Sequence, residues 1–189
     1  MAISRIISEQ IGQVGRIVHG LQFANGLNPA QWEALRFLSR ANSYSRSPGA
    51  LAEYLGCTKG TVSQTIIALE SKGYVVRNRS ESDRRSVIIE LTEAGDEMVQ
   101  HDPLDLIEAA VKGLTAADRE LFANSMAALI KKLQRDRGQT EFGVCGDCVH
   151  NKIDGEFGEI CRCLLKGELL SADDPARICF DFQAISPGG

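Results

Sequence analysis

Leu51-Ala-Glu-Tyr-Leu-Gly56-Cys57-Thr58-Lys-Gly-Thr-Val-Ser-Gln64-Thr65-Ile-Ile-Ala-Leu69-Glu-Ser-Lys-Gly73 is the stretch whose reading decides the fold. Just upstream, Ser47-Pro48 places a side-chain cap before a proline, which the first helical position tolerates because its missing N–H has no partner there anyway. A short helix through Leu51, Ala52 and Leu55 is therefore predicted, ended by Gly56. After Cys57, Thr58 caps a second helix in which Val62, Ile66 and Leu69 recur at three- and four-residue spacing and face inward, until Gly73 stops it. Two short helices joined by a tight turn, the second with small polar residues outward, make a helix-turn-helix pattern.

Working outward, the period changes after Gly73. Tyr74 to Arg79 and Ser86 to Leu91 are rich in branched residues and flank the polar turn Ser80-Glu-Ser-Asp83-Arg-Arg85, which predicts a hairpin with a basic tip. Upstream, Ile3, Ile6, Ile7, Ile11, Val14, Ile17, Val18 and Leu21 form one helical stripe, and Asn28-Pro29-Ala30-Gln31 reads as a capping box opening a helix with Trp32, Leu35 and Leu38. Downstream, 92–114 and 115–137 have helical composition, with Pro103 expected to split the first and Leu121, Phe122, Met126, Leu129, Ile130 and Leu133 forming the apolar set of the second. From Gly138 a segment rich in Gly, Asp and Cys shows little periodicity. The expected organisation is thus 1–46 N-terminal helices for dimerisation and support, 47–91 winged helix-turn-helix, 92–137 dimerisation helices and 138–189 a small metal-stabilised cysteine-rich tail, mainly α with a small β-hairpin wing.

At 189 residues the chain is one domain with appendages, and 43% hydrophobic with 24% charged residues is the balance of a folded globular protein. The longest apolar run, Met126 to Ile130, falls far short of a bilayer span, so a cytoplasmic location is expected. Net charge is -4, an unfavourable total for nucleic acid until it is placed along the chain. From Cys57 to Arg85 six basic residues stand against three acidic ones, whereas the tail from Gly138 has four basic and nine acidic. Phosphate responds to the local potential, so the acidic average excludes nothing.

An α-helix fits the major groove of B-form DNA, and the first turns of a reading helix approach the base edges. The candidate surface is Ser47, Thr58, Lys59, Gly60, Thr61, Ser63, Gln64 and Thr65. Gln64 can make a two-point contact with adenine, Lys59 can bond guanine or phosphate, and the hydroxyls suit phosphate. Arg84 and Arg85 at the hairpin tip can reach an adjacent minor groove, with Asp83 steadying one of them. Taken singly, a polar helix face is a solvated surface and a basic turn is a solubilising loop; their order is what favours double-stranded DNA.

Five of the six cysteines lie within 35 residues: Cys145-Gly-Asp-Cys148, then Cys161, Cys163 and Cys179. The C-x2-C pair is the tight first half of a four-thiolate zinc site, and five thiols compete for four positions. His150 is a substitute ligand, or simply a surface histidine. Bound metal would supply the folding free energy that so few apolar residues cannot. Zinc is the leading expectation; an iron-sulfur cluster and dithiol-disulfide cycling are the alternatives. Cys57 reads as a small space-filling residue.

The combination Leu51 to Leu55, Thr58 to Gln64, Leu69-Glu-Ser-Lys-Gly73-Tyr-Val, Asp83-Arg-Arg-Ser86 and Leu91-Thr-Glu-Ala-Gly95, preceded by Leu27-Asn-Pro-Ala-Gln31, resembles the winged-helix core of the MarR family of bacterial transcriptional regulators across roughly Ile3 to Arg137. The resemblance implies a homodimer on a palindromic operator, with Thr61 to Thr65 in the major groove, Arg84 and Arg85 on the wing, and release by a small-molecule effector. The terminal apolar stripes agree independently with dimerisation, since one small winged helix cannot cover them. Cys163-Leu-Leu-Lys-Gly-Glu-Leu-Leu170 resembles the single-cysteine segment of tails on some such proteins, which implies Cys145, Cys148, Cys163 and Cys179 as ligands and Cys161 as the extra. Two rival functions are a thiol-disulfide or metal-dependent enzyme and a protein-interaction module carried on the same scaffold. The enzyme has little support: His19, His101 and His150 are far apart in sequence and no hydrolase, phosphate-loop or metalloprotease motif occurs.

Overall fold

The computed structural model describes residues 2–79, 87–154 and 160–185. Among them run α1 (Ile3–Leu21), α2 (Pro29–Arg40), a 3-10 turn (Ser43–Ser45), α3 (Pro48–Leu55), α4 (Lys59–Ser71), β1 (Val75–Arg79), β2 (Val87–Leu91), α5 (Glu93–Val99), α6 (Asp105–Lys112) and α7 (Ala116–Asp136). The local signals act where the sequence places them. Asn28 Oδ1 accepts from the Gln31 N–H at 3.0 Å while Gln31 Oε1 accepts from the Asn28 N–H at 3.1 Å, which completes the capping box of α2. Ser47 Oγ caps α3, Thr58 Oγ1 caps α4, and Gly56 takes the left-handed conformation (φ 61°) that turns the chain between them.

β1 and β2 pair antiparallel with Val75 opposite Leu91 and Arg79 opposite Val87. The core lies between α2, α3, α4 and this hairpin: Trp32, Leu35, Phe37, Leu51, Val62, Leu69 and Ile89 are all sealed from solvent. Ordered helices therefore hold α4 by its inner face alone. Gly95 lets α5 press onto the backbone just before β1, because a Cβ there would stand 2.1 Å from the Tyr74 carbonyl oxygen. Pro103 falls between α5 and α6, as expected of a residue that cannot donate to a helix. That junction is clamped to α2, with Arg36 donating to both carboxylate oxygens of Asp102 at 2.5 and 2.6 Å.

α1, α6 and α7 bury no residue in the single chain. Ile7, Val14 and Ile17 of α1, and Leu121, Phe122, Ile130 and Leu133 of α7, stand exposed. No helix among the described residues is long and apolar enough to cross a membrane.

The tail has more order than its composition predicts. β3 (Gly143–Val144) pairs with β7 (Ile178–Cys179), and β4 (Asn151–Asp154), β5 (Ile160–Cys163) and β6 (Glu168–Leu169) form an antiparallel sheet, with 3-10 turns at Cys145–Asp147 and Asp174–Ala176. Strands this short carry too few residues for a pattern to be read. The tail is bound to the helical body: Ile178 joins the core, the Asn42 N–H donates to the Ile178 carbonyl at 2.9 Å, and the Phe180 N–H donates to Ser45 Oγ at 2.8 Å. Phe142 packs edge-on against Phe37 and Tyr54.

Candidate nucleic-acid interface and thiol cluster

The outward face of α4 begins at its amino terminus. The Thr61 N–H donates to Thr58 Oγ1 at 3.2 Å, and the two hydroxyls stand 3.0 Å apart. Thr58, Lys59, Gly60, Thr61, Ser63 and Gln64 are all exposed, and the first turn holds no acidic residue. The positive end of the helix dipole and the Lys59 ammonium therefore act together, which favours phosphate. Ser47 is half-buried and spends its hydroxyl on the Ala50 N–H.

Thr65 corrects the sequence expectation. It is buried, and its hydroxyl donates to the Thr61 carbonyl at 3.1 Å, so it sits with Ile66 on the inner side and not on the reading face. Ile67 takes the outer position: it is 44% exposed and one turn beyond Ser63 and Gln64. A branched apolar side chain there suits a thymine methyl group. The signal was present in the sequence, since Ile67 breaks the inward series Val62, Ile66, Leu69, but the neighbouring Ile66 hides it.

The local basic charge is partly committed. Arg77 forms a two-point pair with Glu70, which raises the arginine pKa and lowers that of the carboxylate, chiefly through the side-chain hydrogen bonds between them. Lys72 Nζ donates to the Gly26 carbonyl at 2.6 Å. Lys59 and Arg79 are exposed. Arg84 and Arg85, expected at the wing tip, lie outside the described residues. The described part of the tail leaves the α4 face exposed; its contacts are with α3 and α2, with Thr140 Oγ1 donating to Glu53 Oε2 at 3.3 Å and Arg177 donating to the Ser39 carbonyl at 3.0 Å.

A second constellation lies where the tail meets the turn after α2. A hole of about 10 Å³ is lined by Cys145, Cys148, Cys163 and Cys179, together with Asn42 and His150. All six cysteines are free thiols. Cys161 does not line the hole, although it shares a face of β5 with Cys163, because it stands two residues further along the strand. Cys57 is apart from all of these, half-buried against the head's core. Burial, and after it the nearby thiols of Cys179, Cys163 and Cys148, pushes the Cys145 thiol up to about 12. Burial raises Cys179 as well, against the pull of the Asn42 amide. His150 is half-buried, not a surface residue. Among the described residues no group of three or more His, Cys, Asp or Glu side chains is arranged to hold a metal ion as it stands.

Beside the head, Tyr74, Ala94, Glu97, Met98, Gln100 and His101 line an open groove of about 560 Å³ where the end of α4 meets α5.

Residues 25–86 match the family model of the MarR family. The transcriptional repressor MprA of Escherichia coli strain K12 is 25% identical over 119 residues, which are 60% of this chain and 68% of that relative. A MarR transcriptional regulator from Methanosarcina mazei Go1 superposes with a TM-score of 0.58 at 25% identity, over 69% of this chain and 98% of that one. Streptococcus pneumoniae FabT, crystallised in complex with DNA, shares the fold with a TM-score of 0.55 at 22% identity, over 70% of this chain and 96% of that one. Residues 25–86, the stretch that the family model matches, thus form a winged-helix core similar to those of MarR regulators.

Proposed function

We propose that the protein is a transcriptional regulator that binds a palindromic operator as a homodimer, reading bases with Lys59, Ser63, Gln64 and Ile67 of α4 and gripping flanking phosphate with the hairpin, including Arg84 and Arg85. The observation that carries this is the outer face of α4: exposed, polar, free of acid in its first turn, and held rigidly from behind by a sealed core. The exposed apolar stripes of α1 and α7 support dimerisation, because contiguous apolar surface of this kind is rarely left to solvent. For the small-molecule effector we favour the groove beside α5. Its volume is in the range of ligand pockets.

The cysteine tail is read as a metal-binding module, with zinc ahead of iron-sulfur or thiol redox chemistry. Its contacts with the α2–α3 linker favour a role in the head over a free enzyme or interaction module.

The test is selection of DNA from a random pool with the full-length chain, followed by titration of the selected site at several salt concentrations. A twofold-symmetric site whose affinity falls steeply with salt is expected. Failure to enrich any sequence would overturn the reading.

A further inference from the structure

The buried polar atoms of the tail identify a site. Three buried side-chain atoms lack a hydrogen-bond partner among the described residues: Asn42 Nδ2, His150 Nε2 and Asn151 Oδ1. All three residues line the same small hole as Cys145, Cys148, Cys163 and Cys179. Buried polar groups are almost always paired, so the unpartnered nitrogens of Asn42 and His150, beside four thiols at one hole, point to an absent ligand. Asn42 is the most telling. It is 1% exposed, lines the hole with Cys179, and its Oδ1 is already used, accepting from the Ser45 N–H at 3.0 Å, which leaves the amide nitrogen without a partner.

We infer that Cys145, Cys148, Cys163 and Cys179 hold one zinc-type ion as thiolates, and that this ion fastens the tail to the turn leading into α3 through Asn42. The inference rests on the metal-binding reading of the tail and is independent of the DNA-binding one.

The chemistry of the donor set fits. Each thiol loses its proton to solvent and forms one sulfur–metal bond of about 2.3 Å, the four contracting about the ion. Four thiolates around a divalent cation leave a charge of two negative, which needs donors rather than acceptors. The donors are in place: Asn42 Nδ2, the N–H of His150, the backbone N–H of Gln183, which donates to Cys148 Sγ at 3.5 Å, and the Lys166 ammonium, which is 2.8 Å from Asp181. The Asn151 oxygen gains nothing from the ion.

The consequence for the head follows from connectivity. Cys179 is in β7, whose neighbour Ile178 accepts from the Asn42 N–H and whose follower Phe180 donates to Ser45 Oγ. Ser45 in turn precedes Ser47, the cap of α3. Binding an ion at Cys179 thus stiffens the chain two residues before the helix-turn-helix.

The test uses the full-length chain. Purified under reducing conditions, it is expected to carry about one zinc per chain, and cobalt(II) titrated into the chelator-stripped protein should give the absorption of a tetrahedral four-thiolate site. Cys163→Ser should abolish or shift that spectrum, while Cys161→Ser leaves it unchanged. Absence of stoichiometric metal affinity, an iron and sulfide chromophore, or equal loss in Cys161→Ser would overturn the site. The cobalt titration on the unmutated chain needs no variant that folds. Hydrogen exchange then tests the fastening: stripping the ion should speed exchange at the Asn42 and Phe180 amides at least tenfold. Stoichiometric zinc with unchanged exchange at those amides would overturn the fastening while leaving the metal reading intact.

Discussion

Replacing Ile178 by alanine measures how firmly the tail is bound to the head. Ile178 is 7% exposed and is the residue of the short tail strands that enters the main core; its backbone forms a parallel bridge with Ala41. Truncation removes three carbons, at about 0.8 kcal/mol each, or about 2.4 kcal/mol of transfer free energy, and the residual cavity adds to this. The backbone bond from Asn42 survives the change, so about 3 kcal/mol is expected in all. The matched control is Ile153→Ala, which removes the same atoms from a side chain 61% exposed in β4 and should cost less than about 0.5 kcal/mol. Urea unfolding at fixed protomer concentration reads the global loss, and hydrogen exchange across 139–144 and 178–184 reads any loss confined to the tail. If Ile178→Ala costs no more than Ile153→Ala by either measure, the tail is not packed into the core and the reasoning fails.

Four further outcomes are expected. Burial alone would raise the Asp102 carboxyl, but the Arg36 guanidinium and the Leu104 N–H hold it below its ordinary value. A depressed carboxylate contributes stability above its unfolded pKa and loses it as pH falls through the folded one, so Asp102→Asn should flatten the acid limb of the stability profile below pH ~4. Its cost near neutrality should be about 2 kcal/mol, less than for a fully buried pair, because Arg36 keeps Glu33 at 2.8 Å; an unchanged acid limb would contradict the assignment. Gln64→Ala should weaken binding by about 1 to 3 kcal/mol at one base position of the selected site, and a uniform loss on all sequences would remove Gln64 from the reading face. Gly95→Ala should destabilise by about 1 to 3 kcal/mol in thermal unfolding, since its Cβ would overlap the Tyr74 carbonyl. Phe122→Lys on the exposed stripe of α7 should shift the protein toward monomer in sedimentation equilibrium, and an unaltered dimer would place the interface elsewhere.

The helical head was legible because its signals are local. A capping box at Asn28, a hydroxyl cap at Thr58, a proline at position 48 and a left-handed glycine at position 56 each act over three or four residues, and the inward series Val62, Ile66, Leu69 needs only the helical repeat. The same repeat could not assign every outward position. Thr65 is polar and was expected outside, but its place one turn after Thr61 and beside Ile66 buries it, its hydroxyl satisfied by the carbonyl behind. Ile67, apolar and given no place in the sequence reading, is the residue that the turn of the helix leaves in solvent.

The sequence by itself determined the order of the elements from α1 to α7, the face of α4 that could meet DNA, and five tail cysteines competing for four positions, because spacing along a helix or between two thiols is a property of neighbouring residues. Only the tertiary structure decided which thiols share a hole, that Cys161 stands away from it, and that Asn42, more than a hundred residues upstream of Cys145, supplies its wall. It also decided that the tail rests on the turn before α3 and not on the reading face. These are encounters between distant segments, set by the burial of Ile178 and the hydrogen bonds around it, and no local pattern encodes them.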